Sequence, residues 1–109
     1  MEEVVLGKIT KAEYGQSPNY QCMFGIHLSF EFPSGGIADG EKYLLNISPD
    51  FKWEDEDEKN RMFMVQQEEI NKVLTDAKVN YVSQLVNKPV EITINNRFFK
   101  KFRILTEVL

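Results

Sequence analysis

The chain has 109 residues, 42% of them hydrophobic, with 17 acidic against 13 basic side chains and a net charge of −4. That length sets a single domain over residues 1–109, and the apolar fraction is enough for a core that needs neither disulfide nor structural metal. One cysteine, Cys22, excludes an intrachain disulfide; one histidine, His27, excludes a Cys/His zinc site within one chain; and no apolar run approaches the ~20 residues of a membrane span.

The chain starts MEEVVLGK, acidic and without a long apolar stretch, so it is not read as a signal peptide. The expectation is a cytoplasmic protein that does not engage a membrane. Val4 to Tyr14 (VVLGKITKAEY) predicts a strand rich in β-branched residues, and Gly15-Gln16-Ser17-Pro18-Asn19 a turn. Tyr20 to Phe32 alternates strictly. Tyr20, Cys22, Phe24, Ile26, Leu28, Phe30 and Phe32 fall on a core face, and Gln21, Met23, Gly25, His27, Ser29 and Glu31 on a wet one. Gly25 predicts a bulge in so long a strand. Pro33-Ser34-Gly35-Gly36 breaks it, and Glu41 to Ser48 is the third strand.

The period then changes. Phe63, Ile70, Val73, Leu74 and Ala77 fall at helical spacing, predicting a helix from about Asp57 to Lys78. A short helical pattern follows from Tyr81 and ends at Asn87-Lys88-Pro89. Val90 to Ile94 alternates again, Asn95-Asn96 suits a tight hairpin turn, and Arg97 to Leu109 reads as the return strand. The order is β-β-β-α-β-β. The fold class expected is α+β, a five-stranded antiparallel sheet or a small OB-like barrel with the helical segment between strands three and four.

Two charged stretches stand out. Residues 54–58, Glu54-Asp55-Glu56-Asp57-Glu58, place five carboxylates in a row, and without them 12 acids face 13 bases. Acidic residues suit a first helical turn, but five exceed what the helix dipole requires. The run is therefore either a solvated helix start or an acidic edge read by a partner. No glycine follows Gly40, so it is not a calcium loop. The opposite pole lies between Asn87 and Arg103, where Lys88, Arg97, Lys100, Lys101 and Arg103 face Glu91 alone, a local +4. In it, Arg97, Phe99, Lys101 and Arg103 share one face of the predicted strand. Cations beside an aromatic suit single-stranded nucleic acid, while the same lysines and arginines also protect an edge strand from aggregation.

Cys22 and His27 lie five residues apart on the predicted strand, hence on opposite faces, and form no dyad. No glycine loop for phosphate, Ser-His-Asp order or Cys-x-x-Cys pair occurs, and no carboxylate pair is singled out among many. Tyr14, Tyr20, Trp53 and Tyr81 sit beside turns, where aromatics serve packing. The chain is not expected to be an enzyme or to carry a cofactor or metal.

GKITKAEYG, the FGI of strand two, KPVEITI and FRILTEVL together resemble a set of small accessory proteins encoded by bacteriophages and prophages. The resemblance covers about half the chain, at both ends, and is weakest between Pro33 and Phe63. Asn87 stands where that pattern expects glycine, and the turn after Tyr14 is poorer in glycine than its counterpart. The resemblance implies a stoichiometric binding role in the host bacterial cell. That role is a counter-defence inhibitor or sponge for a host protein or signalling nucleotide, or else an OB-like binder of single-stranded nucleic acid in phage DNA metabolism. Its motifs are structural and carry no catalytic residue across. The apolar ILTEVL end leaves homo-oligomer formation open.

Overall fold

The computed structural model describes residues 2–109, without the side chains of residues 37, 38, 41 and 42. Five strands, β1 (Glu2–Gln16), β2 (Met23–Glu31), β3 (Ile37–Asn46), β4 (Pro89–Asn95) and β5 (Phe98–Ile104), form one antiparallel sheet in the order β3-β2-β1-β4-β5. The helix α1 (Glu56–Ala77) and a short 3-10 turn (Val82–Leu85) connect β3 to β4. The protein is thus α+β, with an antiparallel sheet and one long helix, and no helix is long and apolar enough to cross a membrane.

β1 holds the sheet together. Its first half, Glu2 to Lys8, pairs with β4, and its second half, Lys8 to Gln16, pairs with β2. Where it changes partners, Thr10 is extra to the β2 ladder, and the core-facing parity switches from Ile9 to Ala12. Such an extra residue bends a strand and increases its twist. The backbone of Ile9 meanwhile bonds to Asn87 and Lys88 (Asn87 N–H to Ile9 O, 2.6 Å; Ile9 N–H to Lys88 O, 3.0 Å). Asn87 takes φ 74°, a left-handed geometry that asparagine tolerates better than most residues other than glycine.

β2 begins at Met23 rather than Tyr20. Cys22 has φ 67° and lies in the preceding turn, half-buried and outside the strand, so the face predicted for it does not apply. From Phe24 to Phe30 the alternation holds, with Ile26, Leu28 and Phe30 at the centre of the core. The irregularity expected at Gly25 is present, but the additional residue belongs to the partner. Phe24 faces Leu45 and Ile26 faces Lys42, and Tyr43 of β3 adopts φ 57°.

The β4–β5 hairpin turns on Asn96 (φ 52°) and Arg97 (φ 72°), one residue later than the sequence suggests. Two positive φ values match the right-handed twist of hairpin strands, a geometry that suits Asn-Gly. Replacing Arg97 by glycine should therefore stabilise the protein by about 0.5–1 kcal/mol, readable as a raised urea midpoint at unchanged slope. The chain leaves β5 at Ile104 and closes in a 3-10 turn (Thr106–Val108), so ILTEVL is not a continuous strand.

The two sheet edges, β3 and β5, lie alongside each other. A Cβ on Gly40 would come within 2.7 Å of the Phe99 ring, and Tyr43 shares a cleft of about 160 Å³ with Phe102 and Ile104. Positions along β3 and β5 therefore advance in the same direction, without a hydrogen-bonded ladder between them. Phe30 fills the space between, with ring centroids 5.3 Å from Phe99 and 5.5 Å from Phe102. The helix closes the core with Ile70, Val73 and Ala77. Its one buried polar side chain, Gln66, donates from Nε2 to Phe24 O (2.8 Å) and Tyr43 O (2.6 Å), the carbonyls that flank the β3 irregularity.

Candidate ligand-binding face

The acidic run begins the helix. Asp55 is the N-cap, its Oδ1 accepting from Glu58 N–H at 2.7 Å, and Glu58 reaches back to the N–H of Glu54 at 3.0 Å. Each side chain satisfies a backbone donor that the helix leaves unpaired. Glu54, Glu56 and Asp57 remain exposed and make no such bond among the described residues. An alanine at Asp55 should cost about 1 kcal/mol, while charge reversal at Glu56 should leave thermal stability within about 0.5 kcal/mol. Differential scanning fluorimetry of the two variants separates the cap from its neighbours.

The basic hairpin does not present the predicted face. Lys100 is extra to the β4 ladder, since Thr93 faces Lys101 and Ile94 faces Phe99. One additional residue reverses the alternation on its far side. Phe99 consequently shares the inner face with Phe102 and Ile104 and stacks on Phe30, while Lys101 and Arg103 point outward and Arg97 sits in the turn. The four residues Arg97, Phe99, Lys101 and Arg103 do not form one surface. Phe98, 76% exposed, is the aromatic left outside, and only the unsignalled bulge explains why sequence spacing chose Phe99.

Two of the cations are also occupied. Arg103 forks between Glu91 (3.3 Å) and Glu107 (3.1 Å), and Lys100 pairs with Glu2 at 2.9 Å. The bonds and charge of Arg103 hold the Glu107 carboxyl below its ordinary range, and those of Lys100 do the same for Glu2. Two of the five cations of the basic pole, Lys100 and Arg103, are thus paired with acids from β1, β4 and the C-terminal turn.

A different surface converges on the outer side of β1, β2 and β3. Lys11 faces Ser29, which faces Asp39; Glu13 faces His27; Gly15 faces Gly25. Lys11 and Glu13 form an ion pair at 3.1 Å, and Ser29 Oγ donates to Asp39 Oδ1. The β1–β2 loop bends over this surface in a fixed shape. Ser17 Oγ accepts from the N–H groups of Asn19 and Tyr20, each at 3.1 Å, and Ser17 N–H donates to Met23 O at 2.7 Å.

Beneath the loop lies a depression of about 260 Å³ over Gly15 and Gly25, walled by Pro18 and Leu44 and edged by Glu13, Gln16 and His27. A second hollow of about 250 Å³ continues across His27 to Tyr20 and Asp39. Cys22 lines neither. A larger groove, about 460 Å³, lies where β1 changes partners, between Leu6, Phe32, Pro33, Pro89 and Leu105. Its walls are mainly apolar, and Gly7 in it serves backbone packing, since a Cβ there would meet Glu31 O at 2.6 Å.

Of the predicted aromatics, Trp53 packs on Phe51 and Phe63, and Tyr14 on Phe24, which is the packing role expected of them. Tyr20 is 61% exposed at the rim of the second hollow. No group of three or more His, Cys, Asp or Glu residues is placed to hold a metal ion among the described residues. No protein-family model, curated protein or solved structure matches the chain.

Proposed function

We propose that the chain is a non-catalytic binding domain of the phage accessory type. It acts stoichiometrically on a host protein or signalling nucleotide in the bacterial cytoplasm, through the outer face of β1, β2 and β3. One observation carries this reading. The β1–β2–β3 face holds a depression under a loop braced by its own hydrogen bonds, while α1 packs against the core. Concavity with a few convergent polar groups is the usual form of a ligand site.

The scaffold supports the same assignment. A bent β1 shared by β2 and β4, the order β3-β2-β1-β4-β5, a helix between β3 and β4, and β3 lying beside β5 favour an OB-like, partly open small barrel. In such barrels the face of strands two and three, with the loops that flank it, takes the ligand.

A second reading, single-stranded nucleic acid, is favoured by the same barrel order. RFFKKFR does not support it as a contact surface, because Phe99 is turned inward and Lys100 and Arg103 are paired.

The test is capture of a one-to-one complex from bacterial lysate, read by native mass spectrometry. Glu13→Arg, at an exposed position on the face, should lose the partner. The combined variant Glu54→Lys, Glu56→Lys, Asp57→Lys should keep it, with its cap intact. The reverse result would move the contact surface to the helix start and defeat the assignment.

A further inference from the structure

We propose that the depression over Gly15 and Gly25 is a nucleobase site, in which one flat heteroaromatic ring lies on the glycine backbone between Pro18 and Leu44. This rests on the binding role assigned above to the same face. The starting point is a glycine with no internal explanation. Gly7 and Gly40 are required by close backbone or ring approaches, and Gly35 by φ 91°. Gly15 meets none of these conditions. It lies one residue before the end of β1, takes no positive φ, and a Cβ there would find nothing within 4 Å.

A glycine within a strand weakens it by roughly 0.5–1 kcal/mol, and often marks a bulge, a bend or a place where a ligand or another backbone comes close. At Gly15 no backbone does. Its cross-strand neighbour is also a glycine, Gly25, so two adjacent positions on this face carry no side chain. The result is a depression floored by two glycines, with Pro18 and Leu44 among its apolar lining.

The shape and charge of the shelf select the ligand. At about 260 Å³ it falls below the roughly 300–1,000 Å³ of drug-sized sites, so it holds one ring system rather than a dinucleotide. Apolar walls suit the faces of a planar ring. The Gln16 side-chain amide on the rim offers both a donor and an acceptor to a polar edge. A nucleobase has both properties. The phosphate contributes little, because among the described residues Lys11 is the one lysine or arginine lining the depression, and it is already paired with Glu13. Binding is therefore carried by the base, and a free nucleotide and an unpaired base of a single strand present the same group.

The test is a titration of the ¹⁵N-labelled full chain with adenosine, guanosine, cytidine and thymidine, then with the corresponding monophosphates and a mixed-sequence single strand. At least one nucleoside should shift the amides of residues 13–17 and 25–27, and its monophosphate should bind within about threefold. With at most one phosphate neutralised, the salt slope should be no steeper than about −0.7. A strand that binds tenfold more tightly than the nucleoside at this flat slope assigns the source to nucleic acid, and equal binding assigns it to the free nucleotide.

Gly15→Val should abolish these shifts while the remaining spectrum stays dispersed. Gly15→Ala, a smaller intrusion, should weaken binding at least threefold if the valine variant does not fold. Nucleoside binding that survives both substitutions, a steep strand slope without nucleoside binding, or no shift with any of these compounds would each overturn the site. If nucleosides fail while Glu13→Arg still loses the lysate partner, the nucleobase assignment falls and the binding face stands. If Glu13→Arg also keeps that partner, both fall.

Discussion

Gln66→Leu is expected to destabilise the protein by about 3 kcal/mol, roughly 15 °C in Tm, although leucine is more apolar and nearly the same size. Gln66 is 5% exposed, and its Nε2 is the donor for two carbonyls, Phe24 O on β2 and Tyr43 O on β3. Those carbonyls lie where the additional residue of β3 interrupts the ladder. Without the amide, both are left in a site that leucine closes to water, at roughly 1–3 kcal/mol per orphaned group.

Gln66→Glu sharpens the test. At neutral pH it sets a carboxylate against the same carbonyls and should be worse than leucine. The environment raises the folded-state pKa of that carboxyl above its unfolded value, since only the protonated form can donate. Stability is then regained as pH falls through the folded-state pKa toward about 4.3, where the unfolded chain also protonates. Urea melts of the three proteins between pH 4 and 8 measure the effect. Equal stability of wild type and leucine variant would show that the helix does not brace the β2–β3 irregularity.

Phe30→Ala should have the largest single effect, a loss of about 4 kcal/mol. Phe30 is fully buried, and its ring lies against Phe99 and Phe102 of the far edge strand. Removing it deletes the transfer energy of the ring and leaves a cavity at the place where β3 and β5 meet without hydrogen bonds. A domain of this kind is stable by roughly 5–15 kcal/mol, so much of its margin is at stake. The measurement is urea unfolding by circular dichroism. Phe30→Leu, which refills most of the volume, should recover about half the loss, and an alanine variant within 1 kcal/mol of wild type would disprove that the seam is held by packing.

The sequence was legible wherever one periodicity ran uninterrupted. The core face of β2 from Phe24 to Phe30 and the helix face of Ile70, Val73 and Ala77 follow directly from spacings of 2 and 3.6. It became illegible at the bulges. Thr10, Tyr43 and Lys100 each insert a residue for which composition gives no sign, and each reverses which side chains share a face afterward. Lys100 alone moved Phe99 from a supposed stacking surface into the core. The acidic run was readable as a helix start but not as a cap with a named residue, because Asp55 and Asp57 are chemically equivalent until the backbone is known. The β1–β2–β3 face was unreadable for another reason. Its residues come from three strands and a loop, and register, not proximity in sequence, puts Glu13 beside His27 and Gly15 beside Gly25.

The division of β1 between two partners has a consequence for the order in which the chain is made. Its second half can pair with β2, and β2 with β3, once some 46 residues have been synthesised, since all these partners are local. Its first half must wait for β4, which ends at Asn95. Until then Val4-Val5-Leu6 remains an unpaired β-prone edge on an otherwise assembled meander, while 49 further residues (46 to 95) are added. Glu2 and Glu3 flank that segment and Lys8 follows it, so the charges that later join the sheet act first as gatekeepers against intermolecular pairing during synthesis.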